Sequence, residues 1–252
     1  MSFLDIFKKI DHRPYPLPNK IWVMKQIWRD LLFIHYEIDP EQIQKKLPKG
    51  LEVDCFEGKT YIAIVPFHMT GIRPRFLPSL PYLSNFAELN VRAYVHKKGK
   101  RGVWFFSLDA ANPIAVEIAR SFFYLPYFNA NIHFTENSHK IIYTSIRKDK
   151  RGKNAKLLLE YEPISEVYFS QKGSLENWLT ERYCLYSTDS RGNIYRGEIH
   201  HPPWPLQKAQ MNLQENLMLL SHDLSILPQE PILHFSKYIE VAIYHLEKEY
   251  ES

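Results

Sequence analysis

The chain has 252 residues, 45% of them hydrophobic, which is enough to bury a substantial core and too apolar for a disordered polypeptide. Its 32 Lys and Arg against 28 Asp and Glu leave a net charge of +4 spread along the sequence, too weak a bias to point to nucleic acid or to a membrane surface. No apolar run approaches the roughly 20 residues of a membrane-spanning helix, and Asp5 interrupts the one apolar stretch near the start. Neither a span nor a secretory signal is therefore expected, and a cytoplasmic location is.

Nine glycines, 17 prolines and 31 Phe and Tyr residues favour strands with large packed side chains over phosphate-binding loops. In chain order, Ile21 to Ile38 mixes β-branched and aromatic residues without turn formers and predicts one long strand or two consecutive ones. Asp39 as N-cap and Pro40 at the first helical position open a short helix that Pro48 and Gly50 stop. "LEVDCF", the turn "EGK" and "TYIAIVPFHM" predict a hairpin, and four prolines make "GIRPRFLPSLP" an irregular rim or lid. "FAELNVRAYV" and "GVWFFSLD" follow as strands joined by the basic tip "HKKGKR". Asn112 and Pro113 begin a helix whose Ile114, Ile118 and Phe122 recur at four-residue spacing, predicting a core-facing stripe.

Beyond it, "ANIHFTENSHKIIYTSIR" predicts a hairpin turning at Glu136, Asn137 and Ser138, and "KLLLEYEP" a further strand. Ser174 caps a single helical turn, "ERYCLYS" and "IYRGEIHH" flank the turn "DSRGN", and "SKYIEVAIYHLEKE" closes the chain as an amphipathic strand. About a dozen short strands with a few short helices and no linker predict one mainly β domain over residues 1–252, a barrel or sandwich. Cys55 and Cys184 lack metal or disulfide spacing and are expected as buried thiols.

Phosphate-loop, dinucleotide, zinc-protease and nucleophile-elbow motifs are all missing. The adjacent His200 and His201 must point to opposite faces of a strand, and no acidic partner recurs at ligand spacing, so neither a metal nor a cofactor is expected. The basic tips "HKKGKR" and "RKDKRGKNAK" sit at turns where solvated charge is normal, and no nucleic-acid partner is expected.

What needs explaining is polar side chains inside apolar sequence. Glu88, Asn90 and Arg92 alternate with Ala87, Leu89, Val91 and Ala93, so the three polar groups share one face of a strand that borders either solvent or a polar interior. Arg29, Asp30, Asp109, Glu117, Arg120, Glu181 and Arg182 likewise stand beside aromatic or aliphatic neighbours; Glu117 and Arg120 are spaced to pair on one helix turn.

"HRPYPLP", "WRDLLFIHYEI", "LPKGLEVDCFEGKTYIAIVPFHMTGIR", "ELNVRAYV", "FFSLDAANPIAVEIARSFFYLPYF", "LTERYCLY" and "HPPWPLQKA" together resemble the YqjF-like family of uncharacterised bacterial proteins, over nearly the whole chain. More distantly, Arg29 followed by "DPEQIQKKLP", and "SLDAANPIAVEIAR", are similar to acetoacetate decarboxylase. That resemblance implies a closed, antiparallel β-barrel around a central pocket, with Arg29 matching a pocket arginine and Glu88 falling near a pocket glutamate. The decarboxylase forms a Schiff base on one lysine of a neighbouring pair. Tyr127 and Phe128 stand at the corresponding positions here, and no lysine occurs between Arg101 and His139. Lysine-dependent decarboxylation is therefore not expected.

Three readings follow. In the first, Arg29, Glu88, Asn90, Arg92, Arg120 and Tyr127 line a pocket for a small organic acid, the guanidinium groups holding the anion and the aromatic residues an apolar tail. In the second, Tyr127 is a general acid or base in a carbonyl or lyase reaction, its pKa lowered by an arginine. In the third, a structural or partner-binding protein turns Glu88, Asn90 and Arg92 to solvent or to a contact. Self-association is left open.

Overall fold

The computed structural model describes residues 3–137 and 139–250, and these form twelve strands and three α-helices. The strands are β1 (Met24–Ile38), β2 (Glu52–Val53), β3 (Thr60–Pro74), β4 (Phe86–Lys97), β5 (Lys100–Ala110), β6 (Tyr127–Asn137), β7 (Lys140–Arg147), β8 (Lys156–Pro163), β9 (Cys184–Thr188), β10 (Ile194–His200), β11 (Gln207–Asn216) and β12 (Ile232–Lys248). The helices are α1 (Pro40–Gln44), α2 (Pro113–Phe123) and α3 (Leu175–Thr180), capped by Asp39, Asn112 and Ser174, whose side chains each accept a backbone N–H of the first turn. Ser138, the third residue of the expected turn between β6 and β7, lies outside the described residues.

All twelve strands join one sheet that closes on itself. Neighbours run β5-β6-β7-β8-β11-β12-β1-β3-β4, and β4 returns to β5, completing a ring; a second path from β12 through β10 and β9 also reaches β5. The strands β12, β1, β3, β4 and β5 are thus a wall common to two rings, one completed by β6, β7, β8 and β11, the other by β9 and β10. A wall enclosed on both sides has no solvent face. On one side Leu32, Ile34, Ile64, Leu89 and Val91 pack against Tyr143, Leu157, Leu159 and Tyr161. On the other, Leu31, Phe33, Val65 and Phe67 pack with Val103, Leu179, Trp204 and Val241. The closed antiparallel barrel implied by the resemblance is present as this barrel-like ring of strands, with two parallel pairings, β5 to β6 and β5 to β9.

Several local expectations are corrected. Residues 207–216 were not expected as a strand, because "QKAQMNLQEN" has no β-branched residue and few large apolar ones; pairing with β8 and β12 makes them β11. β2 pairs with β4, and the "EGK" turn is closed only by the Phe56 to Lys59 bridge. β3 continues into the proline-rich stretch as far as Pro74, because β1 extends alongside it to pair Met24 with Pro74. Ile114, Ile118 and Phe122 of α2 are exposed, Phe122 to 72%. "PIAVEIARSFF" carries apolar residues on almost every face, so spacing alone picks the wrong stripe; Val116 is the buried residue.

Cys184 is buried as expected, but Cys55 is only half-buried. Of the charges after β7, Lys148 and Lys150 are exposed as expected, whereas Arg151 binds Asp149 and Glu117, and Lys153 binds Asp223. Arg147 reaches inward to hold Asp109 of β5 through two nitrogens at 2.6 and 2.7 Å, tying β7 to the common wall.

Candidate functional site

A cavity of about 290 Å³ opens within the ring completed by β9 and β10. Most of its wall is apolar, with Trp28, Phe67, Met69, Phe86, Phe105 and Trp204 among the lining side chains. Ile72, Leu80, Ile118 and Phe123 belong to the lining as well. Leu80 and Ile118 are also exposed, so the mouth lies between α2 and the proline-rich segment after β3. Asn112 Nδ2 donates to the Tyr82 carbonyl at 2.6 Å and ties these two borders together.

β4 supplies the polar part. Its alternation sends Leu89 and Val91 into one core and Glu88, Asn90 and Arg92 into the cavity on the opposite side, all three nearly inaccessible to solvent. The first strand of the next ring section contributes Tyr127, whose hydroxyl donates to Glu88 Oε2 at 2.7 Å. Burial pushes the Glu88 carboxyl up to about 7, against the lowering effect of its hydrogen bonds with Tyr127 and Asn90. Burial and the neighbouring Glu88 carboxylate raise Tyr127 well above the ordinary tyrosine range. The expectation that an arginine would lower Tyr127 toward phenolate is therefore overturned: its hydroxyl meets a carboxylate, not a guanidinium.

Arg92 is unusual for a buried cation. It forms no ion pair among the described residues, and its Nε and Nη2 have no hydrogen-bond partner. Its guanidinium is held over the Phe33 ring at 5.1 Å. Arg182 beside it is paired, with Nη1 donating to Asp54 Oδ2 and Nε to the Trp178 carbonyl, while its Nη2 is also unpartnered. The indole N–H of Trp204 lacks an acceptor too, and the one orphaned acceptor among the lining side chains is Asn90 Oδ1. The cavity thus has a surplus of unsatisfied donors at its polar end and few acceptors to meet them. His201, also in the lining, is held neutral, its pKa lowered to about 3 by burial.

Of the residues expected in a pocket, Glu88, Asn90, Arg92 and Tyr127 come together and Arg29 and Arg120 do not. Gln26 and Trp28 of β1 face the cavity, so the period of two turns Arg29 away, where its Nε donates to Thr70 Oγ1 and its guanidinium lies over Tyr238 at 4.9 Å. Arg120 does not pair with Glu117, which Arg151 occupies; its Nη1 donates to the Tyr127 carbonyl at 2.7 Å from behind the cavity wall. Phe128 packs against Arg147 at 4.3 Å rather than in the cavity.

Arg182, one of the charges that stand out in apolar sequence, lines the cavity too, as do Thr180, His201 and Trp204, which motif reading does not select. The charged pair in "LTERYC" was a visible signal for Arg182; the others lie on segments whose approach to β4 only the topology reveals. No lysine is among the residues lining the cavity, and the described residues contain no cluster of three or more His, Cys, Asp or Glu able to hold a metal. Nor is any described helix long and apolar enough to cross a membrane.

Comparison with solved structures identifies the fold. The acetoacetate decarboxylase of Legionella pneumophila superposes with a TM-score of 0.63 at 14% identity, covering 97% of this chain and 95% of that one. The enduracididine biosynthesis enzyme MppR, complexed with pyruvate, gives 0.60 at 12% identity over 93% of this chain and 96% of that one. At these identities the likeness establishes the acetoacetate-decarboxylase-like architecture. In sequence, the uncharacterized protein YqjF of Bacillus subtilis (strain 168) is 40% identical over 241 residues, 96% of this chain and 98% of the relative. The profile of DUF2071, described as an uncharacterized conserved protein, matches residues 25–240, and the chain belongs to that family.

Proposed function

We propose that the cavity binds a small carboxylic acid with an apolar body, its carboxylate on Arg92 and its tail toward the mouth at Leu80 and Ile118. The observation that carries this reading is the buried, unpaired Arg92 with two unused donors. A buried guanidinium is expected to have a partner, and an incoming carboxylate supplies charge and acceptors together. Arg182 is neutralised by Asp54, and the Glu88 carboxyl, held up to about 7 by burial, is largely neutral below that pH, so Arg92 sets the sign of the polar end there and favours an anion over a cation. Since a water molecule takes about 30 Å³ of liquid, 290 Å³ suits a ligand of roughly ten non-hydrogen atoms. A fold neighbour complexed with pyruvate is consistent with a carboxylate ligand.

Schiff-base decarboxylation is not part of the proposal, because the lining offers no amine. The partner-binding reading required Glu88, Asn90 and Arg92 to face solvent or a contact, and all three are buried around the cavity instead.

Calorimetry with 3-phenylpropanoate, 3-phenylpropan-1-ol and 3-phenylpropylamine tests the proposal. The acid is expected to bind at least tenfold more tightly than the alcohol, and the amine not at all. Equal affinity for acid and alcohol, or no thermal stabilisation by any of a panel of aliphatic and aryl carboxylates, overturns it.

One observation favours a catalytic use of the same cavity: a carboxyl with a pKa of about 7 beside the ligand space, which is poised to take and return a proton at neutral pH. In that reading Glu88 carries the proton and Tyr127 tunes it by donating a hydrogen bond. Tyr127→Phe removes a contact that favours the carboxylate, so the Glu88 titration, followed by infrared difference spectroscopy of its carboxyl band, should move to higher pH. An unmoved titration would show that Tyr127 has no such part.

A further inference from the structure

Arg120 opens a second question, because it borders a groove of about 1010 Å³ that adjoins the cavity beside β5, β9, β10 and the end of α2. We propose that this groove is a second binding site, for a planar aromatic ring carrying one phosphate or carboxylate. It goes beyond the cavity reading and does not depend on it.

The anion end follows from charge. Lys46, Arg120 and Arg191 border the groove and form no ion pair among the described residues. The two acidic side chains there are already occupied. Asp189 accepts the backbone N–H groups of Arg191 and Asn193 and the Asn193 amide, and Asp223 is bound by Lys153 at 2.7 Å. Three cations against two satisfied carboxylates leave the groove positive. Ser187 adds a hydroxyl that is buried and without a partner.

The ring end follows from the wall. Trp104 and Phe106 of β5 line it, and Tyr124 and Tyr195 meet across it with ring centroids 4.8 Å apart. Tyr124 reaches that position because it ends α2 in the left-handed conformation, at φ 50°, where a non-glycine residue is uncommon. Aromatic faces beside unpaired guanidinium and ammonium groups suit a flat ring with an attached anion.

The groove and the cavity share more than proximity. Phe105 and Leu125 line both, and Arg120 donates to the carbonyl of Tyr127, whose hydroxyl holds Glu88. A ligand that draws on the remaining donors of Arg120 therefore acts on the residue that positions Glu88.

Adenosine 5′-monophosphate and indole-3-acetate, titrated separately by calorimetry, distinguish the phosphate and carboxylate sources. At least one should bind, and the double variant Lys46→Ala, Arg191→Ala should weaken it tenfold or more. Both replaced residues are exposed, so the fold is expected to survive, and an unchanged circular dichroism spectrum and thermal midpoint verify it. Arg92→Met should leave this binding unchanged. Four results overturn the proposal: neither probe binds; adenosine or inorganic phosphate alone binds as tightly as the nucleotide; the double variant binds as the wild type does; or Arg92→Met abolishes binding, which would place the probe in the cavity.

Discussion

Arg92→Met is expected to lower the affinity for 3-phenylpropanoate by about 100-fold, or roughly 2.7 kcal/mol, while leaving the unliganded protein as stable as the wild type or more so. The opposite signs come from one cause. Arg92 is enclosed by Phe33, Tyr94 and the cavity, forms no ion pair, and leaves Nε and Nη2 unsatisfied. Removing one partner of a made hydrogen bond usually strands the other, but here the stranded donors are themselves removed.

An unpaired buried charge costs stability, and exchanging buried ionic groups for apolar ones of similar volume is often neutral or favourable by about 1–4 kcal/mol. Tyr94, whose side chain is hydrogen-bonded to Arg92, does not become an orphan in the exchange, since its hydroxyl also meets His35 Nε2 at 2.7 Å. A carboxylate, by contrast, loses one or two charge-assisted bonds worth about 1.5–3 kcal/mol each. Paired calorimetry and chemical denaturation separate the two effects. A variant that unfolds several kcal/mol more easily would assign Arg92 a structural role, and one that binds the acid undiminished would remove it from the site.

The residues that define the site were legible to different degrees, for identifiable reasons. The Glu88, Asn90 and Arg92 face could be read from the alternation of β4, because side-chain period is a local property of a strand. Which way that face points could not, since it depends on β4 lying in a wall with a ring on each side, a consequence of β5 and β12 each having three neighbours. Both faces of β4 are buried, so the usual contrast of polar outside and apolar inside carries no information there.

Arg29 shows the converse error. Matching it to a pocket arginine took the residue without its register, while Gln26 and Trp28 hold the cavity face and Asp30 breaks the register at φ 51°. Arg182 and His201 approach β4 from segments about 90 and 110 residues away in sequence, and no local pattern encodes that meeting. The strand-poor composition of β11 hid an element whose existence rests on its neighbours' open edges.

Glu88→Gln is expected to stabilise the unliganded protein by about 3 kcal/mol at pH 8 and by almost nothing at pH 4.5. The carboxyl has a pKa of about 7 in the fold against an ordinary value of 4.5, so the folded state binds its proton more tightly than the unfolded chain does. A raised folded-state pKa contributes stability that is complete below pH 4.5, declines between 4.5 and 7, and is gone above 7. The difference of about 2.5 units, at 1.36 kcal/mol each, sets the size.

Glutamine keeps an acceptor for the Tyr127 hydroxyl and adds no charge, so it retains the neutral acid's role at every pH. Denaturation curves of both proteins across this range should therefore diverge as pH rises, and the wild-type decline attributable to Glu88 should be missing from the variant. Asp109 is also buried, with its pKa raised by burial, and is present in both proteins; its charge helps raise the Glu88 pKa, so part of the divergence is the coupling of the two carboxyls, which Glu88→Gln also removes. Parallel curves from pH 4.5 to 8 would mean that Glu88 is already ionised well below 7, and the proton-carrying role would fall with that result. If instead the curves diverge, a bound carboxylate should raise the Glu88 pKa further by placing a second negative charge in the cavity, so acid binding should take up a proton near pH 7 in the wild type and not in Glu88→Gln.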